Sequence, residues 1–506
     1  MVRSLGLTLE PGSNVPLYRQ IADEITRRIQ SGALPAGYRL PPTRTLAAEL
    51  GAHRNTVVRA YSELTDTGRL QCVVGRGTFV AEPERAPSAP PTPPEGIALP
   101  WGAIVSRAAS VEPLRRAERM SRKLLVHDCI NLTSLQPPPD MRPQEELRRC
   151  LDHVLRTKGS RVLGYAPREG VPRLRELLSE DLSRLGVPAR TRDIIVTTGS
   201  QQALDLIARV LVNPGDKVLV DEATYSGAIH VFAAAGARLE PVPSDNHGPD
   251  PRALKRLVDC GAKAFYLMPN CGNPTGRSIS LERRRTLVEW SQRSGIPLVE
   301  DDYASDLVLN GKAPPPALRA LDGQVIYVGT FSKKLIPALR VGFMVIPPGL
   351  ERHLLPLKHA MDLGTSALLQ HALAEFMERG YLKRHLDRIR PLYQERHDAL
   401  IEALREHMPP EIQWSPPDSG VVCWLSLPDW LDPEEAFQAA QQAGVVVTPG
   451  ALTSTGSGAG GLRLTYCAEP PRRLAEGARR LGTALSRLIA QRKRGKQPGT
   501  QRLEMV

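Results

Sequence analysis

The chain has 506 residues, 41% of them apolar, and Lys plus Arg exceed Asp plus Glu by 12. That is too long for one ordinary domain, apolar enough for a sizeable core, and basic enough to favour a polyanionic partner. No uninterrupted apolar run nears the ~18 residues a spanning helix needs, the N-terminal MVRSLGLTLEPGSN lacks the apolar stretch of an export signal, and seven cysteines show neither CxxC nor finger spacing. A cytoplasmic protein with reduced thiols, no membrane contact and no metal is expected.

Residues 14–82 predict a DNA-binding unit. In PLYRQIADEITRRIQSG, Leu17, Ile21, Ile25 and Ile29 recur at every fourth position before Gly32, the pattern of an amphipathic helix. PPTRTLAAELG gives a second short helix, with Thr43 as N-cap and Leu46, Ala47 and Leu50 inward. In a third, HRNTVVRAYSELTDTG, Val57, Tyr61 and Leu64 face the core and Arg54, Asn55, Thr56 and Arg59 stay free near its start. A helix entering a major groove meets base edges with its N-terminal side chains, while its amides face phosphates. RLQCVVGRGTFV then reads as two strands around Gly75-Arg76-Gly77, a wing with one cation at its tip. From Leu17 to Ala81 the order of helices and hairpin resembles the winged helix of the GntR family of bacterial transcription regulators. The resemblance implies operator DNA as a partner, contacted by Arg44, Arg54, Asn55, Thr56 and the wing residues Gly75, Arg76 and Gly77.

Six prolines in EPERAPSAPPTPP (82–94) remove too many backbone donors for helix or sheet and favour an extended, semi-rigid spacer. It opens a linker and connecting segment assigned to 83–128. Residues 129–490 form the main domain, and 491–506 a basic C-terminal tail. From 471 onward ten Lys and Arg face only Glu476 and Glu504, which suggests a frayed, solvated end or one that touches DNA.

After the spacer, apolar runs at 193–199, 217–222, 237–243, 263–269, 297–302, 325–330 and 341–346 alternate with helical patterns such as SQQALDLIARVL and SLERRRTLVEWSQRSG. Such alternation predicts an α/β domain with a mostly parallel sheet, whose ligands sit beyond the carboxyl ends of the strands. The residues there form a set. Gly199, Ser200 and Gln201 open a helix whose free amides suit a phosphate. Tyr225 can stack on a planar ring, and Asn273 in PNCGNPTG offers a fixed amide. In VEDDY, Asp301 and Tyr303 share one face while Glu300 and Asp302 point to the other, although both latter carboxylates compete for the partner of a pyridinium. Thr330, Ser332 and Arg340 can hold a phosphate around Lys333, a Schiff-base nucleophile toward an aldehyde; Lys334 is expected to be rotated away. A lysine with an aspartate partner is the site pyridoxal phosphate requires.

The segment from about 130 to 490 resembles fold-type I aminotransferases, a large α/β domain with a small C-terminal α+β lobe. The resemblance implies Lys333 as the Schiff-base residue, Asp301 on the pyridine nitrogen, Tyr303 and Asn273 at the ring oxygen, and Tyr225 on the ring. It places Ser200, Gln201, Thr330, Ser332 and Arg340 on the phosphate. Tyr165 in GYAPREGVPRLREL would reach the partner subunit's phosphate, and Arg463 in GGLRLTY would bind an α-carboxylate. One departure is the gap from Asp301 to Tyr303, two residues where three are common. The combination of winged helix and aminotransferase fold resembles the MocR subfamily, which implies a pyridoxal-phosphate-dependent regulator acting as a head-to-tail homodimer and responding to an amino acid or to the cofactor itself. The alternative is a working transaminase that carries a DNA-binding arm. Ser419, Gly420 and the loop 448–461 are candidates for the effector pocket.

Overall fold

The computed structural model describes residues 5–7, 9, 15–73, 76–81, 99–123, 129–309, 311, 313–417, 419–455 and 460–495. The spacer, Gly75 and everything beyond Gly495 lie outside the described residues. The chain divides into one unit within 1–103 and another within 104–506.

The first unit holds α1 (Leu17–Gln30), α2 (Thr43–Glu49), α3 (Arg54–Asp66) and the antiparallel hairpin β1 (Leu70–Val73) and β2 (Gly77–Val80). Ile21, Ile25, Leu46, Val57, Ala60 and Leu64 bury their side chains together, and the Tyr61 hydroxyl donates to the Pro41 carbonyl at 2.9 Å. Three of the four apolar residues of the α1 period serve this core, Ile29 partly buried against it, and only Leu17 at the helix start is exposed. Leu5 and Leu7, ahead of that helix, pack into the same core. Thr43 does not cap α2: Pro42 occupies the N-cap, and Thr43 is already the first helical residue.

α4 (Trp101–Ile104) falls at the division, and the second unit runs through α5 (Glu112–Lys123), β3 (Ile130–Asn131), α6 (Gln144–Lys158), α7 (Pro172–Arg184) and β4 (Ile194–Thr197). It continues with α8 (Ser200–Leu211), β5 (Lys217–Asp221), α9 (Ser226–Ala234), β6 (Arg238–Val242), the minor hairpin β7 (Ser244–Asp245) and β8 (Gly248–Pro249), and α10 (Pro251–Arg256). Next come β9 (Ala264–Leu267), α11 (Leu281–Ser294), β10 (Leu298–Asp302), α12 (Leu318–Leu321), β11 (Ile326–Thr330) and β12 (Gly342–Val345). The C-terminal part holds α13 (Glu351–Asp362), α14 (Ala367–Glu378), α15 (Tyr381–His407), β13 (Gln413–Trp414), β14 (Val422–Ser426) and α16 (Pro433–Gln442). It ends with β15 (Val445–Val446), β16 (Thr448–Pro449), β17 (Gly461–Thr465) and α17 (Pro471–Gly495).

Seven strands form the main sheet in the order β4-β12-β11-β10-β9-β5-β6, and only β12 runs against the rest. Each of the seven apolar runs is a strand, as the alternation with helices requires. A smaller antiparallel sheet, β13-β14-β17-β16, forms the C-terminal lobe. The expectation of a frayed end from residue 471 fails: α17 extends to Gly495 and buries Leu474, Ala478, Leu481, Leu485 and Ile489. Those apolar residues recur at helical spacing between the charges, and their burial stabilises the helix more than the charges favour solvent. Among the described residues no helix is long and apolar enough to cross a membrane.

Candidate functional site

In the first unit, α3 opens with Arg54, and the His53 side chain accepts a hydrogen bond from the Asn55 amide at 3.2 Å, satisfying one free donor of the helix end. Arg44 and Arg54 are exposed and have no ion-pair partner among the described residues. Arg59 is not free as expected: its guanidinium lies 3.9 Å from the centre of the Tyr18 ring and tethers α3 to α1. Arg76 is exposed at the wing. At Gly77 (φ +117°) a Cβ would come within 3.2 Å of Arg39 Nε, so Arg39 brings a second cation to the wing that periodicity in the sequence did not reveal.

In the second unit, the carboxyl ends of the main-sheet strands converge. Gly199 (φ +107°) turns β4 into α8, and a Cβ on Gly342 of the neighbouring β12 would lie 2.8 Å from Gly199 Cα. Only glycine permits this approach, which leaves the amides at the start of α8 open beside Arg340. Arg340 itself adopts φ +48° and donates to the Thr198 carbonyl at 3.1 Å. Thr330 and Ser332 are buried with their hydroxyls 3.2 Å apart. The Gln201 side chain does not face this cradle. It donates to the Gly227 carbonyl and accepts from the Tyr225 hydroxyl at 3.2 Å, so it orients Tyr225 and leaves only its backbone amide for an anion.

The three adjacent carboxylates separate by their partners. Glu300 accepts the amides of Leu318 and Arg319 and so caps α12. Asp302 accepts from Asn270, Tyr327 and the Ser305 amide. Asp301 accepts from Tyr266 at one oxygen, while its buried Oδ1 has no partner. Burial raises the Asp301 carboxyl to about 7, and a pyridinium N–H would supply the donor and the charge it lacks. Of the three carboxylates, Asp301 is the one that keeps a buried oxygen without a partner among the described residues. Tyr303 spends its proton on the Cys271 carbonyl at 3.0 Å. Asn273 accepts from Arg463 at Oδ1, which leaves its amide nitrogen to donate to a ring oxygen.

Lys333 and Lys334 diverge. Burial lowers the Lys333 pKa, and the nearby positive charges of Arg463 and Arg340 lower it further. Lys334 turns away from those groups, as expected, but into the core and not out to solvent. It is buried in an ion pair with Asp306, and although burial opposes its charge, Asp306 and Asp181 hold its pKa above the ordinary lysine value. Its ammonium also sits 5.0 Å from the Phe331 ring centre. Asp306→Asn is expected to destabilise the protein by about 3–5 kcal/mol, because it strands a buried ammonium. The double substitution Lys334→Met/Asp306→Leu should recover most of that loss in urea unfolding.

Arg463, on β17, is buried and makes three hydrogen bonds: Nη1 to Asn273 Oδ1 at 3.1 Å, and Nη2 to the Thr133 carbonyl at 3.1 Å and Thr448 Oγ1 at 2.9 Å. Its Nε has no partner, and burial pulls the guanidinium down to about 10. Tyr165 is 82% exposed. Ser419 is buried, and Gly420 lies against Cys271 and Tyr303. Together the phosphate cradle, the unsatisfied Asp301 oxygen, Asn273 and the low-pKa Lys333 fit pyridoxal 5'-phosphate.

The aminotransferase class I and II family matches residues 127–481, and the gntR family of bacterial regulatory proteins matches residues 17–80. The chain is 34% identical to the probable rhizopine catabolism regulatory protein MocR of Rhizobium meliloti, over 88% of each chain. It is 37% identical to the 2-aminoadipate transaminase of Thermus thermophilus over 70% of this chain and 89% of the relative. The solved structure of LysN, the α-aminoadipate aminotransferase of Thermus thermophilus, superimposes with a TM-score of 0.71 at 33% identity, covering 78% of this chain and all of that one. A winged helix and an aminotransferase-fold domain thus occur on one chain, which belongs to the MocR-type regulators of the GntR family.

Proposed function

We propose that the cleft senses an α-amino acid, or pyridoxal phosphate itself, and that the winged helix converts occupancy into altered operator binding in a cytoplasmic, head-to-tail homodimer. One observation carries the sensing half: Arg463 is a buried guanidinium with no carboxylate partner among the described residues, close enough to Lys333 to act on its charge. A buried charge of this kind favours an incoming anion that can accept its hydrogen bonds. When bound, pyridoxal phosphate supplies an aldehyde that captures amines covalently. Lys333 provides that amine at rest, Arg463 takes the effector's carboxylate, and Asp301, Asn273 and Tyr225 orient the ring between them. The exposure of Tyr165 supports a role at the partner subunit's phosphate.

The transaminase reading draws on the Thermus thermophilus relative, whose match covers 70% of the chain, but it gives the winged helix no task. DNA binding separates the two. Binding should weaken steeply with salt as phosphate contacts release counterions. Arg54→Ala should cost the preference for a selected operator over random duplex about 1–3 kcal/mol, the worth of one good base contact. Arg76→Ala should weaken both duplexes alike. No DNA binding by the full chain at low salt would sink the regulator, and rapid steady turnover of an amino acid with a keto acid would favour the transaminase.

A further inference from the structure

The segment 448–455 begins as β16, paired with β17, continues as a loop, and makes three further contacts. At its start, Thr448 Oγ1 accepts from Arg463 Nη2 at 2.9 Å. In its middle, the Ala451 carbonyl accepts from Arg116 of α5 at 3.0 Å. Toward its end, the Thr453 carbonyl accepts from the Thr224 amide at 2.7 Å, and Ser454 bridges to Ala223, both just ahead of Tyr225. One short loop therefore touches the carboxylate clamp, the strand end that precedes Tyr225, and α5.

Arg463 makes this arrangement sensitive to a ligand. A carboxylate binds a guanidinium bidentately through either its side fork, Nε with Nη2, or its end fork, Nη1 with Nη2. Both forks need an Nη2 hydrogen, and both Nη2 hydrogens are committed, one to Thr448 and one to the Thr133 carbonyl. A docking carboxylate must therefore loosen one of the two. Displacing Thr448 is the arm that reaches α5, because the same segment carries the Ala451 carbonyl that holds Arg116.

We propose that loop 448–455 is the output element of the cleft, passing the state of Arg463 to α5 through the hydrogen bond from Arg116 to Ala451. The proposal rests on the regulatory reading above and names the device by which that regulation leaves the site. It meets the requirement that a ligand shift a conformational balance through contacts it makes in one state and not in the other.

Hydrogen exchange of the α5 amides in the full-length, cofactor-loaded protein tests this with no effector required. Thr448→Val removes the hydroxyl and keeps the clamp; Arg116→Met removes the anchor on α5 from a partly exposed position. Each is expected to speed α5 exchange on the order of 5–150-fold, the usual range of intramolecular coupling. The double variant should exchange no faster than the faster single variant, because both residues act through one loop. Arg119→Met, on the same helix and bonded to Glu112, should leave α5 exchange at the wild-type rate. Unchanged exchange in Thr448→Val, or effects that multiply in the double variant, overturns the proposal. The cofactor absorbance and DNA binding of the wild-type sample report separately on the regulatory reading, so either idea can fail alone.

Discussion

Borohydride reduction of the cofactor-loaded protein is expected to leave a pyridoxyl group on Lys333 alone, and Lys333→Ala to lose the label completely. The two lysines are adjacent in sequence but opposite in circumstance. Lys334 is an ammonium locked by Asp306, and its buried pair keeps it protonated. Lys333 is depressed by burial, with the positive charges of Arg463 and Arg340 acting in the same direction. The neutral amine is the nucleophile, so a lowered pKa raises the reactive fraction at any pH below it. Cofactor capture by the apo protein should therefore rise with pH and level off below the value near 10.4 that governs a free lysine side chain. The charge-free pair Lys334→Met/Asp306→Leu should keep the label. Peptide mapping that placed it on Lys334 would reverse these assignments.

Much of this site was legible in the sequence because it sits at strand ends, where a short apolar run followed by a polar residue locates the functional side chain. Ser200, Tyr225, Asn273, Asp301 and Lys333 all follow that rule. Strand parity also separated Asp301 from Asp302, but parity alone left the choice open. What favours Asp301 is the count of donors on each oxygen, and those donors, Tyr266 and Tyr327 on the neighbouring strands and Asn270 just beyond one of them, are distant in sequence. The same limit explains the misses. The Asp306 partner of Lys334 lies 28 residues away, so no local pattern announces that the second lysine is buried. The stacking of the exposed Arg59 on Tyr18 joins two helices at the surface of the first unit, 41 residues apart in sequence. Gln201 looked like a phosphate ligand from its place at a helix start, yet its side chain is taken by Tyr225 and Gly227. The C-terminal helix differs: the apolar spacing of Leu474, Ala478, Leu481 and Leu485 is written in the sequence, and their burial outweighs the pull of the charges between them toward solvent.

Arg463→Met should leave the yellow cofactor band and DNA binding in place while weakening any amino-acid effector by about 2–5 kcal/mol, roughly 30- to 5,000-fold. The size follows from burial. In water a guanidinium–carboxylate contact is worth little, but Arg463 is only 8% exposed and already low in pKa, so an arriving carboxylate meets a charge that water scarcely screens. Asn273, Thr133 and Thr448 supply oxygens but no negative charge. Methionine keeps the volume of the side chain and removes both charge and donors, so the loss reads recognition more than packing. Lysine at 463 should recover only part of the affinity, since a single ammonium cannot present the two parallel N–H groups that a carboxylate accepts. Titrating a panel of amino acids and their carboxyl-amides against the cofactor absorbance gives the answer: the wild type should prefer the acids, and Arg463→Met should treat acid and amide alike. A variant that still preferred the acid would move the carboxylate site elsewhere in the cleft. A wild type indifferent to the carboxyl group would point to pyridoxal phosphate itself as the signal, because the cradle of Ser200, Thr330, Ser332 and Arg340 makes no demand on Arg463.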